Sequence, residues 1–183
     1  MPGKNMIRLF IAVELPSDIR LYIKDLGRGI PGARPLPAEQ IHLTLRFIGE
    51  VEGTLFQDIR ECLFDVKKTP FSLQVSGVGH FPPRGIPKVI WAGVTPTEEL
   101  VRLKKRVDRV LLTCGIDLEK QKFSPHITLA RLRNSPIPRV SEFLAGNSFL
   151  QTPEFTVDSF HLFSSRLGKS GALHTLEESY GLG

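Results

Sequence analysis

HLTLRF, residues 42–47, alternates: Leu43, Leu45 and Phe47 are apolar, while His42, Thr44 and Arg46 are polar. A period of two is the pattern of a half-buried β-strand. Residues i and i+2 of a strand share a face, so His42 and Thr44 sit together, about 7 Å apart, with Leu43 and Leu45 turned into the core. A second stretch, HITLAR at 126–131, repeats His-apolar-Thr-Leu after a gap of 126 − 42 = 84 residues. The same parity turns His126 and Thr128 one way and Ile127 and Leu129 inward. If the two strands lie side by side about a pseudo-two-fold axis, two imidazoles and two hydroxyls face one groove.

Outward from these strands, IRLFIAV (7–13) reads as a buried strand. Pro16 opens a helix with Ile19, Tyr22, Ile23 and Leu26 at helical spacing, and Gly27 and Gly29 stop it. PGARPLP (31–37) is expected to be a stiff loop, because its three prolines fix φ and remove donors. Gly49 is expected to end the first motif strand. Thr54 and Gln57 suggest a capping box for a helix bearing Phe56, Ile59, Leu63 and Val66, with Cys62 beside that face. FSLQVSGV (71–78) and KVIWAGV (88–94) suit a hairpin around the turn-rich FPPRGIP (81–87).

The clearest helix follows. Thr95 is its expected N-cap, Pro96 its first position and Glu98 the partner in a capping box. Leu100, Leu103, Val107, Val110, Leu111 and Cys114 form its apolar stripe, and Gly115 ends it. Arg102, Lys105, Arg106 and Arg109 lie off the stripe. They read as a solvated basic face, with an RNA-facing strip as the alternative. The second motif strand should run over 126–132, a short helix over 137–146 and a strand over 154–163, leaving a glycine-rich tail as loop and weak edge strand. The expected fold is α+β: two lobes of duplicated β-α-β units, rich in antiparallel sheet, around a central cleft. With no linker or composition shift, residues 1–183 are expected to be a single domain.

At 183 residues and 41% hydrophobic, the chain can bury a core unaided. Its formal charge of +5 suits a polyanionic partner such as RNA, although many proteins with that excess bind none. Cys62 and Cys114 form no CxxC and are expected as buried thiols in a reducing compartment. There is no secretory signal and no apolar run of the ~20 residues that span a bilayer, so the expected setting is cytoplasmic, with no membrane partner.

Two His-x-Thr faces suit a phosphodiester. At neutral pH, imidazole can serve as base on one side of phosphorus and acid on the other. Threonine hydroxyls can donate to the non-bridging oxygens. Arg131, five residues after His126, can offset charge in the transition state. A single such motif would read as a satisfied strand-edge histidine; duplication argues against that. A metal site is disfavoured because the motifs contain no carboxylate or cysteine. A Ser-His-Asp hydrolase lacks GxSxG, and neither a P-loop nor GxGxxG is present. His80, His161 and His174 lack comparable partners in the sequence. His161 reads as structural, and His80 as a weak candidate for lining a groove.

HLTL (42–45) and HITL (126–129) resemble the paired motifs of the 2H phosphoesterases. IRLFIAVELP (7–16), IHLTLRFIGEV (41–51), PKVIWAGV (87–94), FSPHITLAR (123–131) and FHLFSSRLGKSGA (160–172) narrow the resemblance to the RNA 2′,3′-cyclic phosphodiesterases, also called 2′-5′ RNA ligases. That resemblance implies a two-lobed α+β fold and hydrolysis of 2′,3′-cyclic phosphate ends to 2′-phosphates, with no metal or other cofactor. It also implies reversible, ATP-independent 2′-5′ joining. His42 would be the general acid and His126 the general base. Thr44, Thr128 and Arg131 would hold the phosphate. Phe47 occupies a place suited to stacking on a base, although strand parity makes it a core residue. The expected partner is RNA with a cyclic phosphate end, or a small cyclic nucleotide, bound by a monomer. The alternatives are a 2H enzyme for another phosphodiester and a non-catalytic RNA- or nucleotide-binding module. Two departures stand out: Pro35 follows Arg34 where an aromatic is usual, and Gly171-Ala172-Leu173-His174 replaces Gly-Ala-x-Tyr. Neither is expected to touch the catalytic set.

Overall fold

The computed structural model describes residues 6–118, 122–168 and 171–183. Lys169 and Ser170 of the FHLFSSRLGKSGA segment lie outside them, as do the first five residues, on which the reading of the N-terminus partly rests. The strands are β1 (Ile7–Glu14), β2 (Ala33–Pro35), β3 (His42–Val51), β4 (Phe71–Phe81), β5 (Val89–Thr95), β6 (Ile127–Leu132), β7 (Phe155–Val157), β8 (Ser159–Gly168) and β9 (Gly171–Gly181). The helices are α1 (Ser17–Ile23), α2 (Gly53–Cys62), α3 (Glu98–Thr113) and α4 (Ile137–Gly146).

The strands join in the order β7-β4-β5-β6-β3-β1-β8-β9, with β2 added against β6. The order is symmetric about its middle: each motif strand, β3 or β6, heads a run of four. One pair, Leu43 opposite Ile127, joins the two runs. From this seam the runs diverge as two lobes with a cleft between them, as the duplicated motifs lead one to expect.

On one face of each lobe lies the main core. Leu9, Ile11 and Val13 of β1, Leu43 and Leu45 of β3, and Ile127 and Leu129 of β6 are buried there. Helices cover this face. α3 buries Leu100, Leu103, Val107 and Leu111 completely; each such side chain contributes roughly 1.5–3 kcal/mol. Behind β9, Tyr180 Oη donates to the Arg60 carbonyl of α2 at 2.9 Å. Gly27, just past α1, lies against Ala130 of β6.

Several elements differ from the sequence reading. The 31–37 segment contains β2, because Ala33–Pro35 finds a partner edge in β6. β3 continues past Gly49 to Val51, since Gly49 at φ 96° accommodates an irregularity in the β1 ladder rather than ending it. α2 begins at Gly53 with Glu52 as N-cap, placing Thr54 inside the first turn. α3 begins at Glu98 with Thr97 as N-cap, because Thr95 is held in the β5 ladder opposite Gln74. α1 stops at Ile23 and leaves Tyr22 exposed. The 154–163 strand is two strands, broken at Asp158. The tail is a full strand, β9, paired with β8 from Gly171 to Gly181.

The cysteines also differ. Cys62 and Cys114 are half-buried and paired as a disulfide between the ends of α2 and α3, with Cα atoms 6.9 Å apart. The expectation of buried thiols fails, and with it the argument from cysteines to a reducing compartment. Helical stripes show that each cysteine faces inward but not that the stripes meet. Closing a 52-residue separation restricts the unfolded chain by roughly 4 kcal/mol. Among the described residues no helix is long and apolar enough to cross a membrane.

Candidate active site

The seam pair sets the site. β3 and β6 are antiparallel with Leu43 opposite Ile127, so one step each way places His42 opposite Thr128 and Thr44 opposite His126. Leu43 and Ile127 face the core, which turns all four polar side chains to the groove. Cross-strand Cβ atoms are about 5 Å apart and same-strand neighbours about 7 Å. The two histidines therefore stand on a diagonal, a threonine beside each.

Both strands carry a bulge at the same place. In β3, Thr44 faces Ala12 and Arg46 faces Ile11, so Leu45 is the extra residue. In β6, Thr128 faces Trp91 and Ala130 faces Ile90, so Leu129 is the extra residue. Each bulge lies three residues after a motif histidine and reverses the parity beyond it. Two consecutive side chains turn inward, Leu45 with Arg46 and Leu129 with Ala130. The fifth residue after each histidine, Phe47 or Arg131, then joins the groove face.

This corrects two readings. Phe47 is not in the core: it is 67% exposed and lies 5.9 Å from Phe10, which floors the groove. Arg46 does not share the face of His42 and Thr44. Its Nε and Nη2 donate to the two carboxylate oxygens of Asp108 on α3, both at 2.7 Å. Lys104 binds the same carboxylate. Burial acts to raise Asp108, but these hydrogen bonds and charges outweigh it and hold the carboxyl below its ordinary value.

The histidines have different surroundings. His42 stacks on Phe10 at 5.0 Å and near Phe163 at 6.1 Å. His174 of β9 meets it edge-on at 5.3 Å. Burial first, and then the charge of His174, push His42 down to about 4 against a hydrogen bond to the Gln40 backbone. His126 Nδ1 lies 2.8 Å from the Ser124 carbonyl. A carbonyl only accepts, so Nδ1 carries the proton and Nε2 is left for chemistry. Each histidine thus bonds backbone two residues before it. His126 also meets the edge of Phe81 at 4.8 Å, with Trp91 at 6.5 Å. Gly79 makes room for Trp91: a Cβ there would lie 2.2 Å from the indole.

Arg131 is exposed on the groove face, opposite Val89 on one side and Arg34 on the other. Sequence reasoning missed Arg34 as a site residue because its strand was taken for a loop. Neither arginine has an ion-pair partner among the described residues. Like charges directly opposite are unfavourable, which suits a place that receives an anion. His174 was missed too: the second departure from the family pattern places its ring against that of His42. His161 packs at 6.1 Å from Phe163, with Nδ1 2.9 Å from Ser179 Oγ. His80 Nδ1 is buried without a hydrogen-bond partner among the described residues. The basic side chains of α3 line a shallow hollow of about 500 Å³ with Asp65, Val66 and Lys67. Among the described residues no cluster of three or more His, Cys, Asp or Glu side chains is arranged to hold a metal.

Two lobes about a pseudo-two-fold seam, each contributing one histidine and one threonine, define the 2H phosphoesterase class. The TT0787 structure from Thermus thermophilus superposes with a TM-score of 0.79 at 30% identity, covering 96% of this chain and 97% of that one. Escherichia coli LigT complexed with 3′-AMP superposes at 0.78, covering 97% and 99%; at 24% identity that likeness concerns the fold. The chain belongs to the 2′-5′ RNA ligase superfamily, whose family model matches residues 15–169. It is 33% identical to the RNA 2′,3′-cyclic phosphodiesterase of Archaeoglobus fulgidus over 171 residues, covering 92% of this chain and 96% of the relative. It is 34% identical to the Aeropyrum pernix protein of the same name, covering 80% and 84%.

Proposed function

We propose that this protein hydrolyses the 2′,3′-cyclic phosphate ends of RNA to 2′-phosphates, without a metal. The observation that carries the reading is the seam register, which sets His42 beside Thr128 and His126 beside Thr44. The cyclic phosphate seats between them, with Thr44, Thr128 and Arg131 on its non-bridging oxygens. His126 Nε2 takes a proton from water as the water oxygen bonds to phosphorus. The bond from phosphorus to the 3′ oxygen breaks in line, and His42 protonates that oxygen. Phosphate stays on the 2′ oxygen. A 5′-hydroxyl in place of water gives a 2′-5′ linkage by the same exchange, with no ATP.

His42 is neutral in the free protein at neutral pH. An arriving phosphate anion favours its charged form, so the proton enters with the substrate. The aromatic floor of Phe10, Phe163 and Phe47 suits a base or ribose. The reading treats residues 1–183 as one domain, acting as a cytoplasmic monomer; one sheet running through both lobes supports the first part.

The test is product analysis. A nucleoside 2′,3′-cyclic phosphate is incubated with the protein in excess chelator, and 2′- is resolved from 3′-phosphate. The expected result is 2′-phosphate from the wild type, with rate losses of about 10²–10⁴ in His42→Ala and His126→Ala. A 3′-phosphate product, or activity lost in chelator and restored by one metal, overturns the mechanism. Binding without turnover in all three proteins, the wild type included, would mean a binding module.

A further inference from the structure

A third histidine stands beside the ring of His42. His174 follows His42 by 174 − 42 = 132 residues and lies three strands away, yet the ring centroids are 5.3 Å apart at 65°. Phe10 contacts both rings, nearly parallel to His42 at 5.0 Å and edge-on to His174 at 4.8 Å. Gln40 Nε2 donates to the Ala172 carbonyl at 2.8 Å, which ties the start of β9 over the start of β3. Nδ1 of His174 is buried and has no hydrogen-bond partner among the described residues. A buried polar atom left unpaired is unfavourable, and an apolar ring would fill the space without that cost.

We propose that His174 is a positioning residue, which holds the ring of His42 against Phe10 and governs when His42 takes up its proton. The inference rests on the proposed role of His42 as proton donor. Two imidazolium rings this close repel, so the pair takes up protons one after the other, as a coupled unit. Burial lowers His174, but the charge His174 acquires then lowers the more buried His42 further, to about 4. His174 is thus protonated first. The bound phosphate anion then admits the proton on His42.

Other ionisable groups around this face do not replace it. Glu14 lies opposite His42 in the β1 ladder, but its carboxylate is 3.8 Å from Arg20. Arg8 shares a cross-strand row with Ser165 and His174 at the open edge. His161 is engaged with Ser179. Glu177 is the extra residue where β9 slips against β8. His126 and Arg131 stand across the seam, leaving His174 as the charge that acts on His42.

The experiment is an NMR titration of the histidine rings in the free wild type, His174→Phe and His174→Tyr, with the pH profile of kcat/KM for a nucleoside 2′,3′-cyclic phosphate. Both variants keep a ring against Phe10 and remove the charge. The His42 midpoint should rise by about one unit, tenfold in protonated fraction at fixed pH, and the limb of the profile assigned to His42 should move with it. His174→Ala should lower kcat about tenfold with KM nearly unchanged, and His174→Phe should restore kcat. A His42 midpoint at its wild-type value in both aromatic variants overturns the proposal, as does wild-type kcat in His174→Ala. The titration does not depend on turnover. A shifted midpoint in a protein that hydrolyses no cyclic phosphate keeps the coupling and removes the hydrolase reading. Turnover with an unshifted midpoint does the reverse.

Discussion

Leu45 and Leu129 are the same bulge on two sides of one seam, each the third residue after a motif histidine. Neither touches the groove. Each reverses the strand after it, so that a side chain five residues from its histidine reaches the groove face. Phe47 and Arg131 are therefore structural mates, one apolar and one cationic, at the two ends of one diagonal.

Phe47→Ala tests that geometry. As a groove wall, Phe47 should contribute to binding and little to folding. KM should rise about tenfold, as for loss of one base-aromatic contact, with the urea midpoint nearly unchanged. Were Phe47 a core residue, truncation would cost about 3–5 kcal/mol of stability. Steady-state kinetics and urea unfolding of one variant separate the two.

Arg46 makes the opposite prediction. Asp108→Ala leaves Arg46 and Lys104, both 11% exposed, without their shared carboxylate. The cost should be about 3 kcal/mol in chemical unfolding, since two mostly buried cations lose a shared counter-charge. The kcat of folded protein should stay within about twofold, because the pair faces away from the groove.

The Arg34–Arg131 row should distinguish substrates of different length. Arg131→Ala should lower kcat/KM about a hundredfold for any cyclic phosphate, as expected for a group on transition-state charge. Arg34→Ala should spare a nucleoside cyclic phosphate but weaken an oligonucleotide, with the salt slope of binding reduced by about one. Equal losses on both substrates would place Arg34 at the scissile phosphate instead.

Stability should fall on mild acidification. His42 titrates at about 4 in the folded protein, against an ordinary value of 6.5. Between these values the unfolded chain binds a proton that the folded protein refuses, so stability is full above pH 6.5 and falls as pH drops toward 4. The contribution is about 3 kcal/mol. His161 and His174, both lowered chiefly by burial, act in the same direction. His42→Gln should flatten the dependence of unfolding free energy on pH between 7 and 4. An unchanged slope would mean that His42 titrates normally.

The sequence by itself determined the strands, the inward leucines and the two His-Thr faces, because these follow from a period of two within six residues. Duplication on matching strands also implied the pseudo-two-fold groove, which Leu43 opposite Ile127 realises. Helices with long stripes, α3 above all, were legible for the same local reason. What period alone could not show was a change of period. The bulges at Leu45 and Leu129 exist only as a mismatch with β1 and β5, so the side on which Phe47 and Arg46 fall was decided by those ladders. β2 needed a partner edge far along the chain, in β6, which is why a proline-rich loop became a strand, while the glycine-rich tail became one by pairing along its whole length with β8 just before it. Cys62 met Cys114 only when α2 packed on α3. His174 reached His42 only because the sheet curls enough for Gln40 to bind Ala172. Local alternation specifies which residues share a face; curvature and register, set by long-range pairing, decide which of those faces meet.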